Sequence, residues 1–212
     1  MTINHQNLER VESFLVNFPK ANLQIVTKNR DIDIIRNLIN LGYTNFGENK
    51  VQEAKKKFSI INNSRLDLNL IGPLQTNKVK DALMLFNTIQ TIDREKLVKE
   101  IVKVRLKTQT KTECFYIQIN IGEENQKSGI PLNETLDFYK FCIDNSLQIK
   151  GFMCIPPINN NPEYYFNKML ILKNEINPNL LLSMGMSSDY VEAIKHNASY
   201  IRIGTLLFGE RA

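Results

Sequence analysis

The chain has no tryptophan, two histidines, three cysteines and no apolar run near the roughly 18 residues that a membrane span needs. Each shortage removes a class of function. His5 and His196 stand alone, and Cys114, Cys142 and Cys154 are widely spaced, so the ligand clusters of a zinc site are missing and no metal is expected. An odd number of scattered cysteines points to reduced core thiols rather than a disulfide framework. The opening residues, "MTINHQNLERVESFL", lack the basic n-region and small-residue cleavage site of a signal peptide. A cytoplasmic protein without a membrane segment is therefore expected.

No Pro-, Gly- or Ser-rich linker interrupts the chain either, and 212 residues with 42% hydrophobic and 23% charged content suit one domain, 1–212, with a large core. The net charge is +5, but the basic residues are dispersed. Their one tight run, Lys55 to Lys57, reads as a solvated helix face, and no nucleic-acid partner is expected.

What the chain does contain is a rhythm. Short β-rich runs at 23–27, 43–47, 67–71, 88–92, 114–121, 148–154, 180–184 and 199–203 alternate with helical patterns. Asp31 precedes a 3.6-period stripe of Ile34, Ile35, Leu38 and Ile39 that Gly42 stops. Thr76, Asp93 and Asn133 open similar stripes, and Asn161 with Pro162 opens another. A helix over about residues 8–18 precedes the first strand. Strands separated by helices pair in parallel, and eight of them close most simply into a (β/α)8 TIM barrel with an extra N-terminal helix. An open doubly wound sheet would call for a Gly-rich first turn, which "TKNRDID" does not supply.

In a barrel, chemistry gathers at the C-terminal ends of the strands, with phosphate sites after strands 7 and 8. The seventh strand runs into "SMGMSSDYVEAI", where Ser187 and Ser188 stand at a helix start with Asp189 and Glu192 in capping-box spacing. The eighth runs into Gly204 and Thr205. Small and hydroxyl residues there let backbone N–H groups approach a phosphate. Alternation puts Ile201 and Ile203 toward the helices and Arg202 toward the barrel mouth, and it sends Gln24, Val26 and Lys28 inward as well. A guanidinium at the mouth needs a partner, either a structural ion pair or a ligand atom. A neutral lysine amine condenses with a carbonyl, and a nearby cation with partial desolvation favours the neutral form. Lysine, phosphate cradle and arginine together describe a site for a phosphorylated aldehyde, which pyridoxal 5'-phosphate fits. Met153, Cys154, Met184 and Met186 read first as packing, with a contact to the ring face as the alternative, and Glu48 as the partner of a buried cation ahead of a carboxylate acid or base.

The segments "IVTK", "FGENKVQEA", "IGPLQTNKVK", "KSGI", "GFMCIP", "SMGMSSDY" and "IRIGTLLFGER" span nearly the whole chain in order. Together they resemble the YggS/PROSC family of pyridoxal phosphate homeostasis proteins. The resemblance implies a single-domain barrel like the N-terminal domain of alanine racemase, holding pyridoxal 5'-phosphate as a Schiff base on the lysine that matches Lys28. It also implies Arg202 at the pyridine nitrogen, Ser187, Gly204 and Thr205 at the phosphate, and Asn49 of "FGEN" near the ring. Leu68 and Asn69 stand where the family commonly has an aromatic residue and a histidine, and "IVTK" replaces "AVSK".

The implied role is a carrier that buffers the cofactor for supply to client enzymes, and a monomer is expected. Two other readings use the same lysine, an amino-acid racemase and an aldolase acting on a sugar phosphate. Racemases of this architecture carry a further C-terminal domain that supplies a second acid/base group, and this chain stops shortly after its last strand. Little amino-acid chemistry is therefore expected, with Tyr190 or Tyr200 as the tyrosines that could stand in.

Overall fold

The computed structural model describes residues 2–61, 63–158 and 160–209. Its strands are β1 (Asn22–Val26), β2 (Asn45–Glu48), β3 (Asp67–Leu70), β4 (Thr88–Ile92), β5 (Cys114–Ile119), β6 (Ile149–Cys154), β7 (Leu181–Ser183) and β8 (Tyr200–Ile203). Each pairs in parallel with the next, and β8 returns to β1 through Gln24↔Arg202 and Ile25↔Ile203, closing the barrel. The expected TIM-barrel architecture is therefore the observed one.

The alternation of side chains explains the closure. Ile25, Phe46, Leu68, Ile89, Phe115, Phe152, Leu182 and Ile201 are all buried in one continuous core, where the strands meet the surrounding helices. That layer comprises α2 (Ile32–Asn40), α3 (Val51–Phe58), α4 (Val79–Leu85), α5 (Glu95–Arg105), α6 (Thr135–Asp144), α7 (Pro162–Ile176) and α8 (Tyr190–Lys195). The residues between them in sequence, among them Gln24, Asn69, Gln90, Ser183 and Arg202, are buried on the barrel's inner side.

Helix α1 (His5–Leu15) comes before β1, and α9 (Thr205–Phe208) follows β8. α1 starts and stops three residues earlier than its apolar stripe suggests. The Asn4 side chain accepts the Asn7 N–H at 3.0 Å and so sets the first turn, while the chain turns at Asn17 and Phe18 ahead of Pro19. β2 is displaced the other way. Gly42 takes φ +96° and Tyr43 N–H closes back onto Leu38 C=O, so Tyr43 and Thr44 belong to the turn and pairing begins at Asn45. Among the described residues, no helix is long and apolar enough to cross a membrane.

Candidate functional site

The six candidate residues lie at the C-terminal ends of four strands that are neighbours around the barrel, β7, β8, β1 and β2. Lys28 is half-buried, two residues beyond β1, in line with the inward-facing Gln24 and Val26. Asn49 follows β2 directly and is also half-buried. Gly72 packs on its backbone so closely that a Cβ at Gly72 would fall 2.2 Å from Asn49 C=O. The turn after β8 approaches β1 less tightly, since a Cβ on Gly204 would lie 3.3 Å from the Val26 Cβ.

Arg202 is 4% exposed. Its Nη1 donates to Ser183 Oγ at 2.9 Å and its Nη2 to Cys154 C=O at 2.8 Å. Ser183 Oγ donates in turn to Gln90 Oε1 at 2.7 Å, and Gln90 Nε2 to Asn69 Oδ1 at 3.0 Å. Asn69 Nδ2 and Gln24 Nε2 both donate to Asn45 Oδ1, at 3.3 and 3.1 Å. Because Gln24 is the β-ladder partner of Arg202, these six side chains form a polar ring around the barrel interior. Four of them, Asn45, Asn69, Gln90 and Ser183, were not candidates from sequence. Their signal was a polar residue at an inward position of a buried strand.

Burial pulls the Arg202 guanidinium below its ordinary value, opposed by Cys154 and Asp189. It pushes the Cys154 thiol up to about 12, so Cys154 is a neutral packing group whose carbonyl, not sulfur, serves the site. Met153 and Met184 are fully buried, as packing residues would be.

The serine pair does not start a helix as expected. α8 begins at Tyr190 with Asp189 at the cap position, and Asp189 Oδ1 accepts the Met186 N–H at 2.6 Å. Ser187 reaches across to the other turn instead, where its Oγ accepts the N–H groups of Gly204 at 3.4 Å and Leu206 at 3.1 Å. An oxygen thus already sits against the backbone donors of the β8–α9 turn, beside the exposed Thr205. This donor set, with a hydroxyl on either side, suits phosphate oxygens, and the buried guanidinium suits a ring-nitrogen acceptor. The residues fit a phosphorylated pyridine aldehyde.

Below Lys28, Glu48 is fully buried and does pair with a cation, but the cation is Lys57 at 2.5 Å. Lys57 is 8% exposed, which corrects the reading of Lys55 to Lys57 as a wholly solvated face. A hydrophobic flank, with Ala54 and Phe58 in the core, turns one lysine of the run inward. Burial pushes the Glu48 carboxyl up, and Lys57 and Thr27 pull it back. Facing α3, Glu48 is no acid or base for the mouth.

The two tyrosines are placed elsewhere. Tyr200 starts β8 and meets Tyr116 edge-on at 6.3 Å, and Tyr190 is 6% exposed with its ring against Phe14 of α1. A cavity of about 750 Å³ opens at the opposite end of the barrel, lined by Asn22, Leu181 and Ser199 among others. None of the candidate residues lines it.

Comparison with known proteins bears on this geometry. The family model described as "Alanine racemase, N-terminal domain" matches residues 5–212. A pyridoxal phosphate homeostasis protein of Aquifex aeolicus is 37% identical over 188 residues, covering 84% of this chain and 82% of that one. The structure of PipY from Synechococcus elongatus with pyridoxal phosphate bound superposes with a TM-score of 0.81 at 28% identity, covering 96% of this chain and all (100%) of PipY. An alanine racemase of Clostridium difficile shares the fold at a TM-score of 0.75 and 14% identity, with 98% of this chain matching 56% of the enzyme.

Proposed function

The chain belongs to the pyridoxal phosphate homeostasis proteins, within the alanine racemase N-terminal domain family, and from that premise we propose that it binds pyridoxal 5'-phosphate covalently through Lys28. It serves to buffer the cofactor and deliver it to client enzymes in the cytoplasm. The observation that carries this reading is the adjacency of four strand ends. The lysine, the paired turns with Ser187, Gly204 and Thr205, and the arginine stand on β1, β7 and β8, with Asn49 on the next strand.

When bound, the cofactor would supply an aldehyde able to condense with a neutral amine. The chain's own groups do the rest. Gly204 and Leu206 offer N–H groups, and Ser187 and Thr205 offer hydroxyls, to the phosphate oxygens. Arg202, fixed by Ser183 and Cys154, would meet the pyridine nitrogen as a donor and so disfavour protonation of that nitrogen. Asn49 borders the ring. Lys28 presents its amine from the first strand.

Mapping the attachment site tests the proposal. Borohydride-reduced protein should yield a phosphopyridoxyl adduct on the peptide containing Lys28, with loss of visible absorption. An adduct on Lys78 or Lys127 instead would overturn it.

A further inference from the structure

Lys28 sits in a turn whose two flanking residues are both tied to one charge cluster, of which Glu48 and Lys57 are buried and Glu53 is partly exposed. Thr27 is fully buried, and its Oγ1 donates to Glu48 Oε1 at 2.7 Å. Its carbonyl accepts the Lys57 ammonium at 2.9 Å. On the other side the Asn29 N–H donates to Glu53 Oε1, and Asn29 itself takes a positive φ of 57°. Lys57 joins the two anchors, lying 2.5 Å from Glu48 Oε1 and 2.8 Å from Glu53 Oε1. Two carboxylates and one ammonium, from β2 and α3, therefore grip the backbone on either side of Lys28.

A buried ion pair is a costly way to stabilise a fold, because desolvating Glu48 and Lys57 offsets much of their attraction, which the partly exposed Glu53 supplements. The cost falls here behind one turn at the barrel mouth. A non-glycine residue with positive φ is also uncommon, and it persists where surrounding bonds over-determine it.

We propose that Lys57, with Glu48 and Glu53, is a positioning residue for Lys28: the triad locks the Thr27–Asn29 turn so that the Lys28 amine is aimed at the aldehyde carbon of a ligand seated in the mouth. This rests on the Lys28 reading above. The triad acts on the backbone, so it governs covalent capture and leaves alone the hydrogen bonds that hold phosphate and ring. Spacing alone hinted at half of it, since Glu53 and Lys57 stand four apart on one helix face. Glu48 ends β2 and Thr27 follows β1, and only the fold brings them there.

The test separates capture from seating. Pyridoxine 5'-phosphate has an alcohol in place of the aldehyde and reads only the non-covalent pocket. In E48Q/K57M the pair is replaced without leaving an unpaired buried charge, which keeps the barrel foldable. The double variant should bind pyridoxine 5'-phosphate as the wild type does but form the Lys28 adduct about 10- to 100-fold more slowly, the effect of a small misplacement of a reacting group. Lys57→Arg, which keeps the charge and its donors, should recover most of the rate. An adduct on Lys28 forming equally fast in wild type and double variant overturns the inference and leaves the Lys28 reading intact. Equal losses for both ligands also overturn it, since the triad would then support the whole mouth. An adduct on a different lysine of the wild type overturns both.

Discussion

Arg202 Nη1 donates to Ser183 Oγ at 2.9 Å, and the same oxygen carries the proton that Gln90 Oε1 accepts at 2.7 Å. One hydroxyl thus relays between the charged member of the polar ring and its neutral members. Removing it would strand two buried polar groups, each costing about 1 to 3 kcal/mol. Ser183→Ala should therefore lower the free energy of unfolding by about 2 kcal/mol or more, read from urea denaturation, and weaken cofactor binding. Ser183→Thr should retain most of both. An unchanged midpoint in the alanine variant would mean that Arg202 does not depend on this contact.

Much of this barrel was legible because each level of the sequence agreed with the next. The fourth strand, Thr88–Ile92, was bounded correctly because the next helix follows closely, although it begins at Glu95 with Arg94 at the cap position rather than at Asp93. Asn161 before Pro162 placed the start of α7, and the Asn161 side chain does accept the Glu163 N–H. Strand alternation, a local property, put Lys28 and Arg202 on the inner side of the barrel, where the fold has the buried Arg202 and the half-buried Lys28. What escaped was every relationship made by two distant segments meeting. Three lysines in a row cannot reveal that the third is buried, because the reason is Glu48 on a strand. Ser187 looked like a helix cap because its spacing is that of a cap, while its partners, Gly204 and Leu206, lie one strand away. The polar ring was half visible in Gln90 and Asn69 at inward positions, but nothing in a single strand says that such residues close on one another.

The two mouth hydroxyls should discriminate between ligands that differ only in the phosphate. Ser187→Ala and Thr205→Ala are expected to weaken binding of pyridoxal 5'-phosphate far more than of pyridoxal, by about 1.5 to 3 kcal/mol per lost charge-assisted hydrogen bond. Paired calorimetric titrations of each variant check this. Equal losses for both ligands would remove Ser187 and Thr205 from the phosphate.

Asp189 should leave a signature in the pH dependence of stability. Burial holds its carboxyl above the ordinary aspartate range, against the pull of the Met186 N–H and of Arg202. In the unfolded chain it titrates near pH 4, roughly. Between that pH and the higher folded value, the folded state binds more protons than the unfolded one. Its contribution is therefore fully present below the unfolded value and lost as pH rises through the folded value. Asp189→Asn keeps an oxygen for the Met186 N–H and cannot titrate. The stability of wild type minus that of the variant, from urea unfolding at a series of pH values, should fall as pH rises through this window. A flat or rising difference would show that the carboxyl is ionised as easily in the fold as outside it.

The sharpest question is whether the barrel turns over amino acids, since the racemase of Clostridium difficile shares its fold. Abstracting and returning an α-proton from opposite faces needs two bases, and Lys28 can serve as one. The tyrosines considered as the second are out of position. Tyr200 precedes Arg202 by two residues on the same face of β8, which sets it roughly 6 to 7 Å nearer the base of the barrel, against Tyr116. Tyr190 is packed under Phe14. Burial also pushes the Tyr200 phenol above its ordinary value, making it harder to ionise as a base. The proposed role of Arg202 works in the same direction, because a cation beside the pyridine nitrogen would disfavour the protonated ring that best accepts electrons. Cofactor-saturated protein in deuterated water should therefore exchange the α-proton of L- or D-alanine no faster than free pyridoxal 5'-phosphate does, and Lys28→Ala should change that rate little. Exchange with racemisation at about 1 to 1000 per second, abolished in Lys28→Ala, would make this protein a racemase and require a second base that neither Tyr190 nor Tyr200 supplies.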